Sequence, residues 1–229
     1  MKSFQDIHDI FQRVSPYYDR MNSIFSLGLH RFWKRRFAIL SSVQKSRYIL
    51  DMSTGTGDMI AYLRHVHGDS CSITACDPSD RMLDIAKKRY AQESNIQWIH
   101  AYGEDIPLSD KSIDLYTIAF GMRNMTDMRK ALEEAQRVLK PGGCFSMLEF
   151  SPPSKVWLSV LYQGYQKLFP WLGQCIAGDG PSYRYLADSI QQFPSSFLFE
   201  SMLKDVGFRR VCSYPFTNGL VIAYQGWKV

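Results

Sequence analysis

Residues 51–58 read Asp51-Met52-Ser53-Thr54-Gly55-Thr56-Gly57-Asp58, and they lie between an apolar run and an amphipathic one. The pattern predicts a short buried strand over residues 48–51 and a helix over residues 59–65. Two glycines allow the backbone to turn sharply and let a ligand approach where a Cβ would block it. A dinucleotide site needs a third glycine, but Ile60 stands at that position. The loop is therefore predicted to bind a ligand that has no pyrophosphate to hold.

Outward from this loop, predicted strands and helices alternate along the chain. Further strands are expected over residues 72–77, 96–100, 113–120 and 144–150. Helices are expected over residues 80–90 and 127–139, the second followed by a turn at 140–143. Strands that alternate with helices form parallel βαβ units, so the fold class is α/β with a doubly wound, mostly parallel sheet.

The C-terminal residues depart from this alternation. A helix is predicted over residues 197–206, followed by strand-like runs at 210–214 and 220–225. The intervening residues 215–219 are too few for a parallel crossover, so the two strands are expected to pair antiparallel. Five alternating strands closed by an antiparallel hairpin are typical of the Rossmann-like, class I methyltransferases.

Acidic residues that follow successive strands indicate the cofactor. Asp77 ends the second strand, at the position from which a carboxylate accepts both ribose hydroxyls. Glu104-Asp105 follow the third strand, where polar groups meet the adenine edge in this fold. Together with the D-x-x-x-G-x-G loop, this order predicts S-adenosyl-L-methionine. An isolated aspartate at a strand end is more often a helix cap or turn residue. Because Pro78 follows Asp77, this interpretation stays open beside that of a ribose contact.

Composition limits the kind of protein. The 229 residues are 45% hydrophobic and 21% charged, which fits one globular domain over residues 1–229. We expect four segments within it: an N-terminal helical lid (1–47), a cofactor-binding core (48–150), a helical substrate insertion (151–196) and a closing helix with its hairpin (197–229). No apolar run reaches the roughly 18–20 residues that span a bilayer, and no signal peptide is evident, so a cytoplasmic location is expected.

Cysteine usage and charge exclude other classes of site. The five cysteines show no paired or ligand-like spacing, so neither a disulfide framework nor a metal site is expected. The net charge of +5 is concentrated in the stretch from Arg31 to Arg47, which holds six bases and no acid. A local stripe of this kind argues against nucleic-acid binding over the whole surface.

Several longer motifs give the chain a family resemblance. They lie at residues 11–22, at 26–35 (Ser-Leu-Gly-Leu-His-Arg-Phe-Trp-Lys-Arg), at 120–127 (Phe-Gly-Met-Arg-Asn-Met-Thr-Asp), at 137–143, at 148–151 and at 182–190 (Ser-Tyr-Arg-Tyr-Leu-Ala-Asp-Ser-Ile). With them the chain resembles the menaquinone/ubiquinone biosynthesis C-methyltransferase family. The resemblance implies C-methylation of a polyprenylated quinol, either demethylmenaquinol to menaquinol or the ubiquinol precursor 2-methoxy-6-polyprenyl-1,4-benzoquinol.

The cofactor contacts follow from the glycine loop and from the resemblance. From the loop we expect Asp51, Gly55 and Gly57. The resemblance implies Thr56, Asp77 and the pair Tyr102-Gly103. Ala119 stands where relatives carry a serine, so the resemblance implies a backbone contact there without the side-chain hydrogen bond.

The chemistry needs a proton acceptor or a cation, because a quinol ring carbon becomes nucleophilic when the neighbouring hydroxyl loses its proton. Arg123 is predicted to stabilise the quinolate and Asn124 to orient the ring. Tyr18, Asp19 and Tyr185 are predicted to line the opposite wall, and Asp179 or Tyr183 to take the proton. The alternative for Arg123 is an internal salt bridge, and for Tyr18 ordinary packing. His30 and His100 are interpreted as structural.

Because such an acceptor carries an isoprenoid tail, the enzyme is expected to contact the membrane. The stripe from Arg31 to Arg47, interleaved with Phe32, Trp33 and Phe37, suits an anionic lipid surface at the inner face of the membrane, and residues 156–171 suit an apolar tunnel. A solvated helix face and a core-packed insertion are the alternatives.

A soluble phenol as acceptor, an RNA substrate and a non-catalytic role in a quinone-synthesis complex remain rival functions. The oligomeric state stays open, a homodimer included.

Overall fold

A computed structural model describes residues 4–42, 46–151, 164 and 168–229 of the chain. Within these residues the strands form a single seven-stranded sheet in the order β3-β2-β1-β4-β5-β7-β6. The strands are β1 Tyr48–Met52, β2 Ser72–Asp77, β3 Ile96–His100, β4 Ile113–Ala119, β5 Leu139–Phe150, β6 Phe208–Phe216 and β7 Val221–Lys228.

The helices cover both faces of this sheet and its carboxyl edge. They are α1 Phe4–Val14, α2 Tyr18–Phe25, α3 Leu29–Ser41, α4 Asp58–His67, α5 Asp80–Arg89, α6 Met128–Val138, α7 Phe169–Ala177, α8 Gly180–Gln192 and α9 Ser196–Asp205. A short 3-10 turn at Met122–Asn124 follows β4. Among the described residues, none of these helices is both long and apolar enough to cross a bilayer.

The central strands are buried on both sides, as parallel strands covered by helices must be. In β4, for example, Leu115 and Tyr116 point to opposite faces and both are fully buried. Two hydrophobic clusters result, one on each face of the sheet. β1, β2, β3, β4 and β5 pair parallel. Because their carboxyl ends then lie at one edge, the loops that follow them are brought together there.

The predicted α/β class and its closing hairpin are confirmed, with one boundary corrected. β6 and β7 pair antiparallel, and β7 also pairs antiparallel with β5. The predicted turn at residues 140–143 does not separate helix from strand, because β5 already begins at Leu139, which pairs with Ile113. The register shifts after that pair, so the glycines of the segment are accommodated as an irregularity within the strand.

Helix α3 is fixed to the sheet at its two ends. The indole nitrogen of Trp33 donates a hydrogen bond to the hydroxyl of Thr217 (2.8 Å), and the amide of Gln225 donates to the carbonyl of Leu40 (3.0 Å). Both partners lie in the C-terminal hairpin or beside it, more than 180 residues away in sequence. They accompany the burial of Trp33, Phe37 and Ala38, which form the inward face of α3.

Candidate active site

The loop that follows β1 is held from below by the buried carboxylate of Asp51. Asp51 accepts hydrogen bonds from the hydroxyls of Thr54 (2.6 Å) and Thr117 (2.9 Å). Burial raises the pKa of Asp51 to about 6, against the opposing effect of these two bonds. Gly57 has a φ of 81° just before α4, in the left-handed region that favours glycine. Neither Asp51 nor Gly57 lines the pocket described below, so both support the loop without facing that pocket.

Asp77, at the end of β2, holds the other side of the loop. Its carboxylate accepts hydrogen bonds from the backbone amides of Gly55 (2.8 Å) and Ser79 (2.9 Å). Burial raises the pKa of Asp77 to about 6, although both amide bonds oppose the rise. Since each carboxylate oxygen has two lone pairs, one remains on each oxygen for a ligand. Asp77 is thus both a turn residue and a ligand candidate, as the two sequence readings allowed.

The loops after β1, β2, β3 and β4 enclose a narrow pocket of about 60 Å³, which we call the cofactor pocket. Five of the predicted cofactor contacts line it: Gly55, Asp77, Tyr102, Gly103 and Ala119. Its walls also include Phe11, Tyr18, Ser53, Ser79, Met82, Glu104, Phe120, Gly121, Asn124 and Met125.

Two glycines of the cofactor pocket are needed for close packing. A Cβ on Gly103 would lie 2.8 Å from the terminal methyl of Met125, and one on Gly121 would lie 2.6 Å from the Cβ of Ser53. Glu104 keeps this wall in place, because its carboxylate accepts hydrogen bonds from the backbone amide (2.7 Å) and hydroxyl (2.9 Å) of Thr126.

Thr56 and Asp19, predicted to contact cofactor and substrate, contact each other. The hydroxyl of Thr56 donates to the Asp19 carboxylate (2.7 Å), which also pairs with Arg89 of α5 (2.5 Å). Neither Thr56 nor Asp19 lines the cofactor pocket. The structure therefore places both where they join α2 to the glycine loop and to α5.

Arg123 lies in a buried ion pair with Glu149 of β5. Its Nη1 is 2.6 Å from the Glu149 carboxylate, and the two side chains are 4% and 0% exposed. Nη1 also donates to the carbonyl of Phe120 (2.6 Å), and the guanidinium lies over the ring of Phe150. Among the described residues the Nε of Arg123 has no hydrogen-bond partner. The structure thus contains the internal salt bridge that was the alternative interpretation, and the buried Nε–H donor is left without a partner among the described residues.

Asn124 and Tyr185 meet at the border of the cofactor pocket. The Tyr185 hydroxyl donates to the side-chain carbonyl of Asn124 (3.1 Å). Tyr185 and Arg123 also line an open cleft of about 1070 Å³ between the 3-10 turn and the helices α7 and α8, which we call the outer cleft. The structure therefore brings Arg123, Asn124 and Tyr185 together, with Tyr185 bonded to Asn124 rather than on a wall opposite to it.

Asp179 and Tyr183, the predicted proton acceptors, have other surroundings. Asp179 caps α8 by accepting from the amide (3.0 Å) and hydroxyl of Ser182, and it pairs with Arg13 (3.2 Å). These bonds outweigh burial and lower the pKa of Asp179. The Tyr183 hydroxyl is buried with no hydrogen-bond partner among the described residues, and burial raises its pKa well above the usual value. Neither residue lines the cofactor pocket, the outer cleft or the cavity described next.

A second enclosed space, the aromatic cavity, adjoins the cofactor pocket and shares Tyr18 and Phe120 with it. Its other walls are Asn22, Phe25, Ser26, His30, Lys34, Arg123, Phe150, Phe169, Leu186 and Ile190. The sequence interpretation assigned no site role to its two bases on α3, His30 and Lys34. Their four-residue spacing places them on one face of a helix, but nothing in the sequence signals that this face turns inward.

The burial of Lys34 and its neighbours corrects the predicted surface stripe. Trp33, Lys34 and Phe37 were assigned to it, but all three are buried. The ammonium of Lys34 pairs with Asp58 at the start of α4 (3.0 Å). Burial raises the pKa of Asp58, but Lys34 outweighs this effect and the pKa is lowered overall.

The chain is similar to a known family over nearly its whole length. The model of the ubiE/COQ5 methyltransferase family matches residues 1–228. The ubiquinone/menaquinone biosynthesis C-methyltransferase UbiE of Zymomonas mobilis is 43% identical over 226 residues, which are 97% of this chain and 92% of that protein. The protein of the same name from Klebsiella pneumoniae is 38% identical over 223 residues, 96% of this chain and 89% of that protein.

Solved structures show the same fold at low sequence identity. A SAM-dependent methyltransferase from Thermotoga maritima, described as a possible histamine N-methyltransferase, is 20% identical with a TM-score of 0.65, covering 97% of this chain and 100% of that one. A SAM-dependent methyltransferase from Aquifex aeolicus is 19% identical with a TM-score of 0.61, covering 83% and 88% of the two chains. The predicted Rossmann-like methyltransferase fold is therefore confirmed.

Proposed function

The chain belongs to the ubiE/COQ5 methyltransferase family, and from this premise we propose that it methylates a ring carbon of a polyprenylated quinol. The proposed main acceptor is demethylmenaquinol, and the ubiquinol precursor 2-methoxy-6-polyprenyl-1,4-benzoquinol is the second. The observation that carries the proposal is the adjacency of the cofactor pocket to a cavity with aromatic walls and three basic side chains.

The residues of the cofactor pocket fit S-adenosylmethionine. Asp77 has free lone pairs for the ribose hydroxyls. Met82 and Met125 offer apolar surface to an adenine, while Gly55, Gly103 and Gly121 allow close backbone approach. When bound, this cofactor supplies an electrophilic methyl group on a sulfonium.

The aromatic cavity supports a planar, electron-rich acceptor. Phe25, Phe120 and Phe150 provide flat apolar walls on which an aromatic ring can pack. The guanidinium of Arg123, held by Glu149, is proposed to stabilise the negative charge that develops on the quinol oxygen. Asn124, hydrogen-bonded to Tyr185, is proposed to orient the ring. Positioning of this kind contributes strongly to methyl transfer, because the reacting atoms must be aligned before reaction.

The proposed function is tested by complementation and by direct assay. The chain is expressed in a bacterium that lacks its own quinone C-methyltransferase, and the extracted quinones are analysed by mass spectrometry. Restored menaquinone supports the proposal. In parallel, purified protein is incubated with labelled cofactor and either demethylmenaquinol or a panel of soluble phenols. Methylation of the soluble phenols alone would contradict the quinol assignment.

We also propose that the outer face of α3 contacts the membrane. Because the other side of α3 is buried, this outer face consists of five exposed residues, Arg31, Phe32, Arg35, Arg36 and Ile39. Phe32 and Ile39 are about half exposed, and the Arg36 guanidinium lies 5.9 Å from the centre of the Phe32 ring. Exposed apolar side chains between bases are typical of a helix lying on an anionic bilayer. Most of the predicted tunnel, residues 156–163 and 165–167, lies outside the described residues.

Vesicle binding tests this contact. Each base near an anionic surface contributes about 1 kcal/mol, so Arg35→Glu/Arg36→Glu should weaken binding to phosphatidylserine-rich vesicles at least about 30-fold. The matched control is Lys87→Glu/Lys88→Glu, which makes the same charge change on exposed positions of α5. Equal loss in both variants would mean that net charge alone acts.

A further inference from the structure

The buried face of α3 places a histidine in the wall of the aromatic cavity. His30 is 6% exposed, and it shares this wall with Tyr18, Phe120 and Arg123. Tyr18 and Phe120 also line the cofactor pocket. The imidazole therefore lines a cavity that adjoins the cofactor pocket, and it belongs to the 26–35 motif, to which the sequence assigned no chemistry.

The hydrogen bonds around His30 determine its tautomer. The hydroxyl of Ser26 donates its single proton to the backbone carbonyl of Asn22 (2.6 Å). The same oxygen lies 2.8 Å from the Nδ1 of His30, and it can then act only as an acceptor towards the ring. Nδ1 must therefore carry the proton, which leaves the lone pair of the neutral imidazole on Nε2.

Burial, assisted by nearby cations, keeps the His30 ring neutral. Burial is the main effect that lowers its pKa below 6.5, and Lys34 adds to it. Asp58 of α4 and Asp19 of α2 act in the opposite direction, and Arg31 acts with Lys34. Across the cavity the only charged wall residue besides Lys34, among those described, is Arg123, a further cation. Both cations are paired with carboxylates, Lys34 with Asp58 and Arg123 with Glu149, so a neutral imidazole beside them can accept a proton at neutral pH.

We propose that Nε2 of His30 accepts the hydroxyl proton of the aromatic acceptor during methyl transfer. The inference rests on the proposed function, which supplies an acceptor with a hydroxyl beside the reacting ring carbon. It assigns the proton to a residue other than Asp179 and Tyr183. Asp179 is committed to its helix cap and to Arg13, and Tyr183 lies outside the cavity.

The proposed step balances as follows. The O–H bond of the acceptor breaks, the proton moves to Nε2, and the oxygen electron pair is delocalised onto the ring carbon. The ring carbon forms its bond to the methyl group while the S–C bond breaks, and that electron pair stays on sulfur as a neutral thioether. The ring carbon then loses its hydrogen to water as a proton, and the imidazolium returns its proton to the oxygen. The net products are the methylated quinol, the demethylated cofactor and one proton.

Nuclear magnetic resonance tests the state of the ring without any turnover. The chain has five histidines, and the imidazole nitrogen signals that disappear in His30→Asn belong to His30. We expect the Nδ1–H tautomer at pH 7 and a pKa below 6.5. A protonated ring at pH 7, or the Nε2–H tautomer, would overturn the proposal.

Kinetics test the role of the same nitrogen. An asparagine at position 30 can place its amide near the position of Nδ1 and keep the bond to Ser26, but it has no Nε2. With a short-tailed demethylmenaquinol in detergent, His30→Asn should reduce kcat by about 10²-fold or more and remove the acid limb of the pH profile. Cofactor affinity, measured by calorimetry, should stay within about twofold. The control is His65→Asn, at an exposed position of α4, which should keep both rate and pH profile.

The outcomes separate the two proposals. Full activity with an unchanged acid limb in His30→Asn overturns the role of His30 while the quinol assignment stands. A wild-type chain that binds cofactor but methylates no quinol overturns the proposed function and this inference with it. If His30→Asn loses cofactor binding or unfolds, His30→Gln decides, because its amide lies near Nε2 without being a base. Normal turnover by His30→Gln would overturn the proposal.

Discussion

Replacing Arg123 by methionine would remove one half of the buried ion pair and leave Glu149 without a counter-charge. At 2.6 Å and an effective dielectric constant of about 20, the Coulomb attraction between the two groups is about 6 kcal/mol, and desolvation offsets part of it. Breaking a buried pair from one side typically costs about 3–5 kcal/mol, because the remaining charge stays buried. We expect the free energy of unfolding of Arg123→Met to be lower than that of the wild type by this amount.

The assay is chemical denaturation together with thermal unfolding. For a chain of this length, about 1 kcal/mol corresponds to about 2–4 °C in Tm, so the midpoint should fall by about 6–20 °C. The double variant Arg123→Met/Glu149→Gln removes both charges and should recover most of that loss. The control is Arg129→Met, which breaks the exposed Arg129–Glu133 pair of α6 and should cost less than about 1 kcal/mol.

The double variant also separates the structural role of Arg123 from the catalytic one. If it is stable and binds cofactor but methylates quinol at least about 10²-fold more slowly, the guanidinium acts in the reaction. Full activity of the stable double variant would refute that role. A loss of less than about 1 kcal/mol in Arg123→Met would refute the reasoning about the buried pair itself.

Three further predictions concern the loop and the cavity. Asp77 has a pKa of about 6, and we propose that its carboxylate accepts the ribose hydroxyls. Calorimetry should then show a cofactor affinity that is constant above pH 7 and about tenfold weaker at pH 5, and Asp77→Asn should lose this pH dependence. The free energy of unfolding of Gly57→Ala should be lower than that of Gly142→Ala by at least about 1 kcal/mol, as measured by chemical denaturation. Both glycines have a φ of 81°, but only at position 57 does the new Cβ meet a side chain, that of Tyr90 at 2.9 Å. Ser26→Ala should shift the imidazole signals towards a tautomer mixture in nitrogen NMR and reduce kcat, because it removes the acceptor that holds the proton on Nδ1; an unchanged spectrum would contradict that assignment.

The sequence by itself determined the order of the elements and the position of the cofactor loop. Gly55 and Asp77 could be predicted to lie together, because the ends of neighbouring parallel strands meet at one edge of the sheet. The hydrogen bond between them is a detail that the structure adds. The closing hairpin was predictable as well, since a short connection forces antiparallel pairing. These features depend on local patterns and on general rules of topology.

Tertiary structure alone decided which way the side chains of α3 point. This helix carries aromatic and basic residues all round, so its sequence pattern does not separate Phe32 and Arg35, which are exposed, from Trp33 and Lys34, which are buried. Its buried face packs into a hydrophobic cluster against the sheet, and Trp33 and Leu40 bond to Thr217 and Gln225 in the distant hairpin region. The pairing of Thr56 with Asp19 and the position of His30 in the aromatic cavity follow from the same packing. Contacts between segments far apart in the chain leave no periodic signal, and only the folded structure shows them.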